Sequence, residues 1–242
     1  MKNKVLPLVI SGLLGLGLLT TSYTAFADDG VTLKQVLEGP QRSAEHKKLD
    51  TNRQPDAALN FFKLKPNQKI IEVWPGDGWY TEILAPYLKS GGGGYTTAVE
   101  PSTSDERKKR NSAFLNKLAD DGDTYGDARL ITFDPPKSNI RPVGGVDLVF
   151  SNGNVNTWIA EGTADGAFSA FYLALKSGGV LGIINPANSG VSSDTIIAKA
   201  KAAGFTADGE QKLGNSGDKA LRFVKPADAP VPNDVVKLVR AE

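Results

Sequence analysis

The residues best suited to chemistry are Gly76, Asp77 and Gly78, with Glu72 before them and Glu100 after. Two glycines around an acid let backbone N–H groups approach a ligand, since neither carries a Cβ to collide with it. If the turn opens a helix, the electropositive helix end suits an anionic group. Glu100 stands 22 residues after Gly78. An acid closing the second strand at such a distance can accept from both hydroxyls of a ribose, or it can cap the next helix. Glu72 falls inside the apolar run Ile70-Ile71-Glu72-Val73-Trp74. A carboxylate there needs a partner, so it either stands just behind a cofactor or pairs with Arg42 or Arg53. Asp77 can hold an amino group or cap the helix.

A second group follows the fourth expected strand: Ser151, Asn152, Asn154, Asn156 and Trp158. On an open α/β sheet this is the rim where substrate sits. Amides there can orient a nucleophile but cannot deprotonate it, and the same residue types form ordinary loops. Tyr80 and Trp79 either line the pocket or, for Tyr80, join the buried stripe of the helix. His46 reads as a solvated helix residue, and Arg107-Lys108-Lys109-Arg110 as a solvated helix face. The chain has no Cys and one His. Disulfides, thiolate or imidazole metal centres and a Ser-His-Asp triad in the body of the fold are therefore not expected.

The elements that must position these residues alternate. Strand 69–74 leads through Pro75-Gly76-Asp77-Gly78 into helix 79–89. Four glycines at 91–94 precede strand 95–100, and helix 103–120 follows. Further strands are expected at 130–133, 146–150 and 180–184, with helices at 162–176 and 193–203. A final hairpin pairs about 205–213 with 219–225. Strands separated by helices of this length imply a mostly parallel seven-stranded sheet covered on both faces, with one antiparallel strand from the hairpin. Residues 28–66 read as a helical extension, with breaks at Gly39-Pro40 and Pro55. The α/β domain spans 67–226, and a Pro-containing tail spans 227–242.

Residues 1–27 have the three-part layout of a secretory signal: Lys2 and Lys4, an uncharged apolar core from Val5 to Leu19, and Ala25-Phe26-Ala27 before Asp28. The expected location is periplasmic or secreted, with no stable membrane span after cleavage. Loss of the two lysines moves the net charge from +1 to −1. A near-neutral chain without a basic stripe argues against nucleic acid as a partner.

Glu72-Val-Trp-Pro-Gly76-Asp-Gly78, the acid Glu100, the Leu175-Lys-Ser-Gly-Gly-Val-Leu-Gly182 run and the closing hairpin together resemble class I S-adenosylmethionine-dependent methyltransferases. The resemblance covers about residues 40–225. It is similar in particular to a secreted group of predicted methyltransferases that share the Trp79-Tyr-Thr-Glu-Ile-Leu84 run and an N-terminal Arg42…Asp50…Arg53-Gln-Pro55 segment. It implies a Rossmann-like fold and S-adenosylmethionine as cofactor, with Glu72, Gly76, Asp77, Gly78 and Glu100 around it. It also implies Asp134 at the adenine amino group, where Pro135-Pro136 equally suggests a turn. Substrate contacts fall to Tyr80, Asn152, Asn154 and Trp158. The chain departs from the pattern in three places: Trp74 replaces the first glycine, and Asn156 and Asn185-Pro186 stand where the secreted relatives often carry His and an acid–His pair.

Three readings follow. The first is an exported methyltransferase acting on an unidentified small-molecule or protein acceptor. The second is a non-catalytic or repurposed member that binds another small molecule or a protein partner, since the cofactor is made with ATP in the cytoplasm. The third is a nicotinamide-dependent dehydrogenase. It is the weakest, because the third glycine of the dinucleotide pattern would fall at Thr81.

Overall fold

A computed structural model describes residues 31–227. The expected signal segment 1–27 and the tail beyond residue 227 lie outside the described residues.

The central strand β1 (Lys69–Val73) forms where the apolar, β-branched run predicts it and is buried from Ile70 onward. Side chains alternate across a strand. Ile71 and Val73 therefore enter one apolar core while Ile70 enters the other. Glu72 shares the face of Ile70. The neighbours are β2 (Gly94–Val99), β3 (Arg129–Thr132), β4 (Val146–Asn152), β5 (Leu175–Asn185), β6 (Thr206–Leu213) and β7 (Asp218–Val224). The order is β3-β2-β1-β4-β5-β7-β6, parallel except for β7, which runs antiparallel to both β5 and β6. Mostly parallel strands, their order and the antiparallel hairpin make this the Rossmann-like fold of class I methyltransferases.

In register, Val73 lies beside Ala98 of β2 and Ser151 of β4. After β1 the chain moves out to β2 and β3, then returns to place β4 on the other side. That reversal opens a crevice at the C-terminal ends of β1 and β4, the usual ligand position on such sheets.

Ten helices among the described residues cover the sheet. The N-terminal segment supplies α1 (Leu33–Glu38), α2 (Ala44–Lys48), α3 (Asp50–Arg53) and α4 (Pro55–Phe61). Thr32 and Ser43 cap α1 and α2 by accepting from Gln35 N–H and His46 N–H. Val36, Ala58, Leu59 and Phe62 share one core with the helix after β1, α5 (Thr81–Ser90). The segment is therefore built into the domain. After β2 come α6 (Asp105–Asp120), capped by Ser104, and the short α7 (Gly122–Tyr125). The opposite core lies beneath α8 (Val155–Ala160), α9 (Ala164–Ala174) and α10 (Ser193–Ala202).

Loop-forming residue types follow β4, yet α8 forms there. Trp158 belongs to α8 and is fully buried against Trp74, Phe133 and Phe171. Its expected place on the substrate rim is corrected. An indole of that size contributes more in the core under β4 than on an open rim.

Candidate functional site

The turn after β1 sends neighbouring aromatics to opposite sides of the sheet. Trp74 takes a left-handed backbone (φ 51), a conformation disfavoured for residues with a Cβ. It is over-determined there. Its N–H donates to Ala98 O at 2.8 Å and its indole Nε1 donates to Phe133 O at 3.0 Å. The Asn154 amide nitrogen lies 3.1 Å from both Val73 O and Trp74 O. The indole thus turns toward Phe133 and Trp158. Trp79 and Tyr80 go to the other core, where Tyr80 stacks edge-on against Trp79 and Phe150.

Gly76 (φ 65) has open space where a Cβ would stand. At Gly78 (φ 84) a Cβ would lie 3.0 Å from the Phe114 ring. The first glycine faces the crevice, and the second admits α6. Asp77 is mostly exposed; one carboxylate oxygen accepts from Trp79 N–H at 3.2 Å in a local turn and the other lies 3.4 Å from His46 Nε2.

A cleft of about 380 Å³ opens over Gly76 and Glu100, with Trp74, Arg107, Arg110 and Asn154 on its walls. Glu100 does not cap α6. Its Oε2 lies 3.2 Å from Arg107 Nε and its Oε1 accepts from Arg110 Nε at 2.5 Å. Arg107 also spans to Glu161 at 2.5 Å, and its guanidinium lies 5.3 Å over the Trp74 ring. The basic run is therefore not wholly a solvated face. Arg107 and Arg110 turn inward, one helical turn apart at the start of α6, because Glu100 ends the strand beside them.

Glu72 lines neither this cleft nor the second cavity. Its Oε2 lies 2.5 Å from Tyr95 Oη and accepts from Thr81 Oγ1 at 2.8 Å. It pairs with neither Arg42 nor Arg53, and that expectation is corrected. Arg42 instead forks onto both oxygens of Asp50. Burial pushes the Glu72 carboxyl up from 4.5 to about 7, against the lowering effect of the Tyr95 and Thr81 hydroxyls. Asp134 also lies away from the cleft. Its N–H donates to Ser138 Oγ at 2.6 Å and its carboxylate meets Lys137 at 3.4 Å, so the turn reading fits its geometry.

His46 is not solvated. Its Nδ1 lies 2.9 Å from Glu82 Oε2, close enough for charge pairing but not aligned as a hydrogen bond. Glu82 is buried and also meets Lys117 at 2.7 Å. Trp79 Nε1 donates to His46 O at 2.9 Å. These contacts clamp the N-terminal segment and α6 onto the start of α5. Nothing in the helical periodicity around His46 marks them.

A second cavity, about 490 Å³, lies across the β4 loop. Arg53, Tyr80, Asn152, Pro186 and Asp218 are on its wall. Tyr80 and Asn152 thus line one cavity, while Asn154 lines the other cleft and Asn156 lines neither. Burial pushes the Tyr80 hydroxyl well above its ordinary value, so it stays a neutral donor rather than a base.

The sequence matches no protein-family model and no curated protein. Solved structures do match. A SAM-dependent methyltransferase from Aquifex aeolicus superposes with TM-score 0.60 at 15% identity, over 81% of this chain and 99% of that one. The glycopeptide N-methyltransferase MtfA, complexed with S-adenosylmethionine, gives 0.54 at 14% identity over 71% and 86%. The [4+2]-cyclase SpnF gives 0.57 at 12% identity over 81% and 92%. At these identities the likeness establishes the fold.

Proposed function

We propose that this chain is an S-adenosylmethionine-dependent methyltransferase. The observation that carries the reading is the cleft at the β1 end with Gly76 and Glu100 on one wall. The cofactor fits the residues present. Its size is within the range of small-ligand pockets. The empty Cβ position at Gly76 leaves room for a group against the backbone. Arg110 Nε and Nη2 both approach Glu100 Oε1, while Oε2 meets Arg107 alone and retains lone-pair capacity to accept a ribose hydroxyl. Trp74 faces Phe133 and leaves the cleft open.

The bound cofactor would supply an electrophilic methyl group. The chain's own residues then bind, orient and exclude water. Such a transfer depends mainly on alignment, so an acceptor that is already nucleophilic needs no protein base. Asn152 and the neutral Tyr80 hydroxyl suit an orienting role. The layout of residues 1–27 supports export to the periplasm or beyond, with Asp28 as the mature N-terminus, and supports membership of the secreted group.

A second reading is favoured by one observation: both Glu100 oxygens already meet arginines. A repurposed member would keep that pairing and bind another molecule or a protein partner. Calorimetry separates the two readings. Mature protein should bind S-adenosylmethionine and S-adenosylhomocysteine but not NAD. Glu100→Ala should lose binding, and Gly76→Ala should weaken it by filling the empty Cβ position. No heat with either adenosyl ligand at millimolar concentration overturns the first reading. Sequencing the N-terminus of exported protein checks the Asp28 cleavage.

A further inference from the structure

The second cavity contains two opposite charges that do not meet. Arg53, at the end of α3, has no carboxylate within ion-pair distance among the described residues. Its guanidinium instead lies 4.8 Å over the Trp79 ring. Such stacking leaves the N–H edge of a guanidinium free to bind. Asp218 opens β7. One carboxylate oxygen accepts from Ala187 N–H at 3.0 Å, and the group has no cationic partner among the described residues. Between them stands Tyr80, buried to 3% exposure, whose hydroxyl has no hydrogen-bond partner among the described residues. Tyr80 is itself a wall residue of this cavity. Asn152 adds a carboxamide to the same wall.

The walls are tied to one another. Gln54, next to Arg53, accepts from Gly214 N–H at 2.9 Å. Ser216 Oγ donates to Asn52 O at 3.2 Å. These bonds fasten α3 to the β6–β7 hairpin, so Arg53 and Asp218 keep their separation. Both groups are half-buried, so the pair is held open to solvent and available to a ligand that carries the two complementary charges. Ile184 and Pro186 supply an apolar floor.

We propose that this cavity binds a small zwitterion, with its carboxylate on Arg53 and its ammonium on Asp218, and with the Tyr80 hydroxyl donating to the carboxylate. Binding stands on the cavity alone. That the zwitterion is the methyl acceptor rests on the methyltransferase reading.

Calorimetry or ligand-observed NMR on the mature chain tests it with L-leucine, β-alanine and γ-aminobutyrate, whose charges differ in separation. The N-acetyl acid and the amide of each are the controls. At least one zwitterion should bind about tenfold tighter than both its derivatives, a difference of about 1.4 kcal/mol. Arg53→Gln should remove the advantage over the amide, and Arg53→Lys should keep part of it. Asp218→Asn retains an acceptor for Ala187 N–H and should remove the advantage over the N-acetyl acid. The proposal is overturned if no zwitterion binds, if the derivatives bind equally well, or if the variants leave selectivity unchanged. Displacement of the zwitterion by S-adenosylhomocysteine would also overturn it, since the two clefts share no wall residue. Zwitterion binding without any response to adenosyl ligands would uphold this site and remove the methyltransferase reading. The reverse result would remove this site alone.

Discussion

The indole nitrogen of Trp74 donates to the backbone carbonyl of Phe133 across 3.0 Å. That bond joins the end of β1 to the end of β3 over the intervening β2. It explains how a large residue holds a position whose backbone favours glycine.

Trp74→Ala should destabilise the protein by about 3–5 kcal/mol, as large-to-small aromatic changes do. Trp74→Gly should be the more stable of the two by about 1 kcal/mol, because glycine adopts the left-handed backbone without strain. Urea unfolding of both variants measures the difference. An alanine variant at least as stable as the glycine one would refute strain at residue 74.

Glu72 gives the stability a defined pH dependence. Its carboxyl titrates near 7 in the folded protein against 4.5 ordinarily. Between those values the unfolded chain releases a proton that the folded chain keeps, so stability falls as pH rises. The loss is fully absent below about pH 4.5 and amounts to about 3 kcal/mol at most above pH 7. Glu72→Gln keeps an acceptor for Tyr95 and Thr81 and should flatten this slope. Denaturation midpoints at pH 5 and pH 8 test it. Parallel curves for variant and parent would place the titration elsewhere.

Lys117 and His46 approach the buried Glu82 from two elements. Lys117→Met should cost about 2–3 kcal/mol. That is less than a wholly buried pair, because the lysine is 28% exposed and His46 remains. Chemical denaturation gives the value, and a change under 0.5 kcal/mol, the usual size of a surface effect, would show that the pair is screened.

Gly182 in β5 meets α4. A Cβ there would lie 3.0 Å from the Phe62 ring. Gly182→Ala should destabilise by about 1–3 kcal/mol through overpacking. The companion change Phe62→Leu should recover part of it in a double-mutant cycle. Strict additivity of the two changes would contradict the contact.

The sheet was legible because its strands are short apolar runs divided by glycine turns and helical periods. That Gly76 and Glu100 line one cleft and Asn152 another follows from strand ends converging at one edge of such a sheet. Pairings across elements were not legible. Arg107 and Arg110 read as solvent-facing because helical spacing says nothing of an acid at the end of a neighbouring strand. His46 read as exposed because its partner Glu82 lies 36 positions away. Trp158 read as rim because α8 is a single short helix without a capping side chain.

Trp79 lies under the guanidinium groups of Arg42 and Arg53, at 5.5 and 4.8 Å from its ring centre, and donates to His46. All three residues belong to the N-terminal segment. The other two tryptophans, Trp74 and Trp158, pack together across the sheet. The chain thus carries an optical label at each face. Emission from Trp79 reports the seating of residues 33–62, and emission from the Trp74–Trp158 pair reports the core beneath the Gly76–Glu100 cleft. Replacing either face's tryptophans by phenylalanine lets the two halves be followed separately during unfolding.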